Sequence, residues 1–217
     1  MASPDQMHMH VKQQMFLLSL LQHIVNIDTR KIFYNAHIKL HIDYASVVYD
    51  GCGEVHLKKL NSLHRRAGKL ILPDPSLSTE QKMSALGIFN LPQQLTYNKG
   101  LFMHKVLNNN SPNYLAQFFI SHQFHCTNSR NKLYVPRPRL DIFKTSTSFA
   151  GASLWNYLLQ NIKSCISLPC FKRNLHKKNR IEFFSWAYIS TRLKILRQGV
   201  PEKDMLVLNK SSLGLGT

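Results

Sequence analysis

The chain has 217 residues, 44% of them apolar and 18% charged, enough to bury one or two packed cores and too apolar for a disordered chain. Its 28 Lys and Arg stand against 11 Asp and Glu, a formal charge of +17 at pH 7. Nucleic acid is the commonest partner for such a field, with an anionic membrane surface as the next candidate.

Residues 1–14 read as a flexible N-terminus, in which Met7-His8-Met9-His10 offers at most a weak soft-metal site. The first helix is predicted over Met15 to Val25, with Phe16, Leu17, Leu20, Leu21 and Ile24 as its apolar stripe. Lys12, Gln13, Gln14, Gln22 and His23 interrupt the run from Val11 to Ile27, so neither a signal peptide nor a membrane span is expected there. Asp28 or Thr29 is expected to cap a second helix through Ile32, Phe33, Ala36, Ile38 and Leu40. Ile42 to Tyr49 fits helix or strand, and the helical neighbours favour helix. Glu54 to Leu72 has the clearest amphipathic pattern: Val55, Leu57, Leu60, Leu63, Ala67, Leu70 and Ile71 on one side, and Lys58, Lys59, His64, Arg65, Arg66 and Lys69 on the other. Pro73-Asp-Pro75 stops it. Ser78 opens a short helix that Gly87 ends, and Leu91-Pro92 opens another that runs to about Asn108. A short helix near Tyr114 follows. Ser121 to about Phe149 keeps no period and reads as an extended strap. Helical patterning returns at Gly151 to Ile162, Leu168 to Lys177 and Ile181 to Leu196. Gly199 to Thr217 is weakly patterned.

Two stretches carry the charge. The helix face of Lys58, Lys59, Arg65, Arg66 and Lys69 suits a phosphate backbone or, equally, plain solvation. In the strap, Pro136 and Pro138 stiffen the path of Arg137 and Arg139, and Lys144 follows. From Arg130 to Arg180 eleven Lys and Arg face one acid, Asp141. Tyr134, Phe143 and Phe149 are interleaved and suit stacking on unpaired bases, although Phe149 and Trp155 read better as packing residues. His122, His125 and Cys126 are too few for a structural zinc site, so neither metal nor cofactor is expected. Cys52, Cys126, Cys165 and Cys170 are too scattered for a disulfide framework and suggest an intracellular chain, nuclear or cytoplasmic. There is no Gly-x-Ser-x-Gly, no phosphate-cradling glycine loop and no adjacent Asp-Asp pair.

In order along the chain, four blocks resemble the C-terminal, thumb and post-thumb region of non-LTR (LINE-type, jockey/CR1-like) retrotransposon reverse transcriptases. They are Phe33-Tyr-Asn-Ala-His-Ile-Lys-Leu-His-Ile-Asp-Tyr-Ala-Ser46; Leu57-Lys-Lys-Leu-Asn-Ser-Leu-His-Arg-Arg-Ala67; Leu91-Pro-Gln-Gln-Leu-Thr-Tyr-Asn-Lys99 with Met103-His-Lys105 and Ser111-Pro-Asn-Tyr-Leu115; and the strap with Gly151-Ala-Ser-Leu-Trp-Asn156 and Phe171-Lys-Arg-Asn-Leu175. The resemblance runs from about Leu17 to Lys177. Tyr49 stands where the family usually has Trp, and Leu158-Leu159 where it has Leu-Pro. It implies a region that grips template–primer duplex and element RNA, while two-metal polymerisation belongs to palm carboxylates that would precede residue 1. It also implies that a missing palm leaves an apolar patch on the Phe16 or Phe33 helices open to self-association.

The expected fold is mainly α, an irregular helical bundle with an extended basic strap between helices. Its parts are residues 15–120 as a thumb-like domain, 121–180 as strap and C-terminal helices, and 181–217 as a non-family, partly disordered tail. The expected protein is a truncated, non-catalytic reverse-transcriptase-like chain binding RNA or DNA nonspecifically, with no membrane partner. Its phosphate contacts would be Lys58, Lys59, Arg65, Arg66, Lys69, Arg137, Arg139 and Lys144. The alternatives are a helical remnant without a specific ligand, and a non-catalytic part of an RNA-directed DNA polymerase that needs a separate palm.

Overall fold

A computed structural model describes residues 4–44, 46–119, 132–135 and 139–181, and these are mainly helical. Helix α1 spans Pro4–Leu21 and α2 Ile27–Phe33. A π-helical segment, Tyr34–Lys39, carries α2 into α3 (Leu40–Asp43), and α4 (Ser46–Tyr49) follows. Then come α5 (Glu54–Ile71), α6 (Thr79–Leu86), α7 (Leu91–Leu107) and α8 (Asn113–Ala116). A 3-10 turn at Asp141–Thr145 precedes α9 (Thr147–Tyr157), α10 (Gln160–Lys163) and α11 (Leu168–Ile181). The chain divides into two compact units, Met1–Lys177 and Lys178–Thr217. The expected tail helix from Ile181 to Leu196 lies, beyond its first residue, outside the described residues.

The N-terminus departs from expectation. Helix α1 already begins at Pro4, and Val11, Met15 and Leu18 are buried while Phe16 is 63% exposed, Leu20 53% and Ile24 79%. Positions 11, 15 and 18 lie opposite 9, 16 and 20 on a helix of 3.6 residues per turn. Both sides are apolar, so periodicity alone does not say which one meets the core. The cap of α2 is Asn26, whose Oδ1 accepts the Thr29 N–H at 2.9 Å; Asp28 falls in the first turn, where a negative charge suits the helix dipole.

Two apolar clusters form the interior of this unit. One gathers Val11, Met15 and Leu18 with Tyr34, Ile38, Ile42, Leu60, Ala67, Ile71 and Leu86. The other gathers Met103, Val106, Phe119, Leu133, Trp155, Leu158, Ile162, Phe171 and Leu175. Helix α7 threads both, with Leu91 and Leu95 in the first and Met103 and Val106 in the second. At Gly151 α9 runs close to α7: a Cβ there would stand 2.7 Å from Met103 Sδ, so the buried Met103 side chain would have to shift.

Polar ties fix the shorter elements. Asp43 accepts hydrogen bonds from Gln94 Nε2 at 2.9 Å and Asn98 Nδ2 at 2.8 Å and pairs with Lys39 at 2.6 Å; Lys99 pairs with Asp50. Helix α6 has the reciprocal capping box of Ser78 and Gln81, and it ends at Gly87 in the left-handed conformation, φ 68°. The helix that follows the strap begins earlier than expected. Ser146 Oγ accepts the Phe149 N–H at 3.3 Å and starts α9 at Thr147, ahead of the expected Gly151. The polar first turn, Thr147 and Ser148, hides that helix from a periodicity reading.

Candidate nucleic-acid interface

Helix α5 buries Leu60, His64, Ala67, Gly68 and Ile71, which leaves the opposite side to its cations. Lys58, Arg65 and Lys69 follow one line along the helix (i, i+7, i+11), with Lys59 and Arg66 beside it, and all five side chains are exposed. Their span along the axis is about 16 Å at ~1.5 Å per residue. Val55, expected inside, lies in the row of Lys59 and Arg66 (i, i+4, i+11) and is 63% exposed.

His64 belongs to the core rather than to the cationic face. Its Nε2 stands 2.7 Å from the Phe89 carbonyl and its Nδ1 3.2 Å from the Tyr34 hydroxyl. The consistent assignment is Nε2–H donating to Phe89 and Tyr34 O–H donating to Nδ1, a neutral ring. Burial pushes its pKa below the usual histidine range, against the pull of the Phe89 carbonyl and Asp43. Burial likewise pushes the Tyr34 hydroxyl well above the usual tyrosine range, so it stays a donor.

The five cations are not equally available. Lys58 pairs with Glu54 at 3.3 Å and Arg65 with Glu80 at 3.0 Å, both at the surface. Among the described residues Lys59, Arg66 and Lys69 have no carboxylate within ion-pair reach. The exposed pairs are worth little in water.

Of the strap residues, Arg139 is exposed, Lys144 is half-buried, and Arg137 lies outside the described residues with Pro136 and Pro138. His122, His125 and Cys126 also lie outside them. The strap's docking is built from Asn156: its Oδ1 accepts the Leu133 N–H at 2.7 Å and its Nδ2 donates to the Leu133 carbonyl at 2.8 Å. That two-point clamp was not legible in the sequence, where Phe149 and Trp155 read as packing residues and Asn156 had no role of its own. The strap's far end lies against the approach to α5: a Cβ on Gly51 would be 2.9 Å from the Thr145 carbonyl oxygen, and Thr147 Oγ1 donates to the Val47 carbonyl at 3.3 Å. The fold therefore brings the segment carrying Lys144 to the start of α5.

The aromatics separate by burial. Tyr134 and Phe143 are exposed enough to meet a base, whereas Trp155 is buried and Phe149 half-buried. A further cationic face was not singled out from the sequence: on α11 Arg173 and Lys177 are exposed opposite the buried Phe171 and Leu175, with the exposed Lys172 beside them. The signal was the same amphipathic alternation that marks α5. Among the described residues no three His, Cys, Asp or Glu side chains converge as metal ligands, and no helix is long and apolar enough to cross a membrane.

No protein-family model, no curated protein and no solved structure matches the chain.

Proposed function

We propose that this chain is a reverse-transcriptase-like, nucleic-acid-gripping region that binds RNA or DNA through its phosphates and carries no polymerase centre of its own. The observation that carries the reading is the exposed cationic line of α5, with Lys59, Arg66 and Lys69 free of carboxylates among the described residues, in a chain of net charge +17. The ordered blocks from Phe33 to Leu175 support the kinship with non-LTR reverse transcriptases, and the mainly helical fold is compatible with a thumb-like role.

The roles divide by exposure. Lys58, Lys59, Arg65, Arg66 and Lys69 contact phosphate along α5; Arg139 and Lys144, with Arg137, extend the contact from the strap. Recognition of this kind is nonspecific, because phosphate contacts fix position without reading bases. Fluorescence anisotropy with a structured RNA and a primer–template duplex, at several salt concentrations, tests it. The association constant is expected to fall with salt on a log–log line, by roughly 0.9 per phosphate neutralised on duplex DNA and roughly 0.7 on single strands. No binding at low salt favours a helical remnant without a ligand.

A second reading, which does not exclude the first, rests on α1. The exposed Phe16, Leu17 and Leu20 with Ile24 make an apolar face that suits self-association.

A further inference from the structure

We propose that Cys165 and Cys170 form a reversible dithiol site that takes a small-molecule disulfide, such as oxidised glutathione, as its oxidant. Their sulfurs stand 3.3 Å apart, in hydrogen-bond contact. Cys165 follows α10, Cys170 lies in the first turn of α11, and both are free and half-buried, within reach of a small solute.

The junction that aligns them is held by α7. Nε2 of the fully buried His104 stands 2.7 Å from the Cys165 carbonyl, and the His104 ring packs on Phe171, with centroids 4.2 Å apart. The sulfurs are thus brought together by an anchored backbone rather than by a loose loop. The Cys165 sulfur accepts from Asn174 Nδ2 at 3.1 Å and from the Cys170 thiol, and its own thiol donates to the Asn161 carbonyl at 3.5 Å. The thiolate is the form that attacks a disulfide. The hydrogen bond to Cys165 pushes the Cys170 thiol up, which disfavours Cys170 as the first thiol to attack. Arg173 acts on Cys170 in the opposite sense, and with the exposed Lys172 it offers a positive approach for an anionic disulfide.

The chemistry closes without another reagent. Cys165 gives up its proton to solvent and its sulfur attacks one sulfur of the oxidant, whose S–S bond breaks and releases one thiolate. Cys170 then gives up its proton to solvent and attacks the Cys165 sulfur of the mixed disulfide, releasing the second thiolate. Two protein thiols are oxidised to one disulfide, and one small disulfide is reduced to two thiols.

Peptide mapping of the full chain tests this. The protein is equilibrated at graded ratios of oxidised to reduced glutathione, trapped by alkylation and cut with trypsin. Cleavage after Lys163 and Lys172 puts both cysteines in one peptide, apart from Cys52 and Cys126. That peptide is expected to lose two hydrogens and to take no alkyl group, at a ratio at least about tenfold lower in the folded chain than in urea. Equal ratios folded and unfolded would overturn the proposal, as would two alkyl groups on this peptide when Cys52 already carries glutathione. The Cys170→Ser chain is expected to accumulate the mixed disulfide at Cys165, and no adduct there would overturn the assignment of Cys165 as the attacking thiol.

Discussion

Asn156 and His64 each join segments far apart in the chain, and each yields a measurable consequence. Asn156→Ala leaves the Leu133 N–H and carbonyl unpaired at a half-buried site, which costs about 1–3 kcal/mol in urea unfolding and frees the strap's first anchor. His64 is neutral when folded, with its pKa held below the ordinary value of about 6.5. Above that value neither state binds the extra proton, and stability is flat. As pH falls below it the unfolded chain takes up a proton that the folded ring resists, so stability falls by up to about 1.4 kcal/mol per pH unit until the folded ring also titrates. His64→Gln keeps a donor for Phe89 without titrating; the loss of stability from about pH 7 to pH 5 is expected to be smaller in that variant. Neither residue was legible as a tie. His64 sits in a run of cations, and its partners Tyr34 and Phe89 are 30 and 25 residues away.

Helix ends were easier to read than helix faces. Ser78, Gln81, Gly87 and Pro73 act through atoms a few residues away, so the limits of α5 and α6 followed from local chemistry. Faces depend on what packs against them. On α5 one side is charged, and only the apolar side can turn inward. On α1 both sides are apolar, and the choice of Val11, Met15 and Leu18 as the core side is made by the first apolar cluster, to which Leu60 of α5 and Ile42 also belong. The side left outside gives a prediction of its own. Under the self-association reading, the chain sediments as a concentration-dependent oligomer, and Phe16→Lys with Leu20→Lys returns it to monomer without altering the helical circular dichroism. A wild-type chain that stays monomeric across the concentration range counts against that reading.

For the molecule as a whole, the net charge of +17 was plain from composition, but its distribution was not. Arg65 meets Glu80 fifteen residues on, and Lys58 meets Glu54, so the five cations of α5 divide into a paired and an unpaired set only once the chain is folded. The strap's contribution narrows in the same way, because Leu133 is clamped, Trp155 is buried, and Arg139, Tyr134 and Phe143 remain at the surface. The most direct test compares the wild-type chain with Lys59→Gln, Arg66→Gln and Lys69→Gln combined, titrating a primer–template duplex across salt. Phosphate-led binding through α5 predicts weaker binding and a log K against log salt slope that is shallower by about 2–3. An unchanged affinity and slope in the triple variant would contradict it.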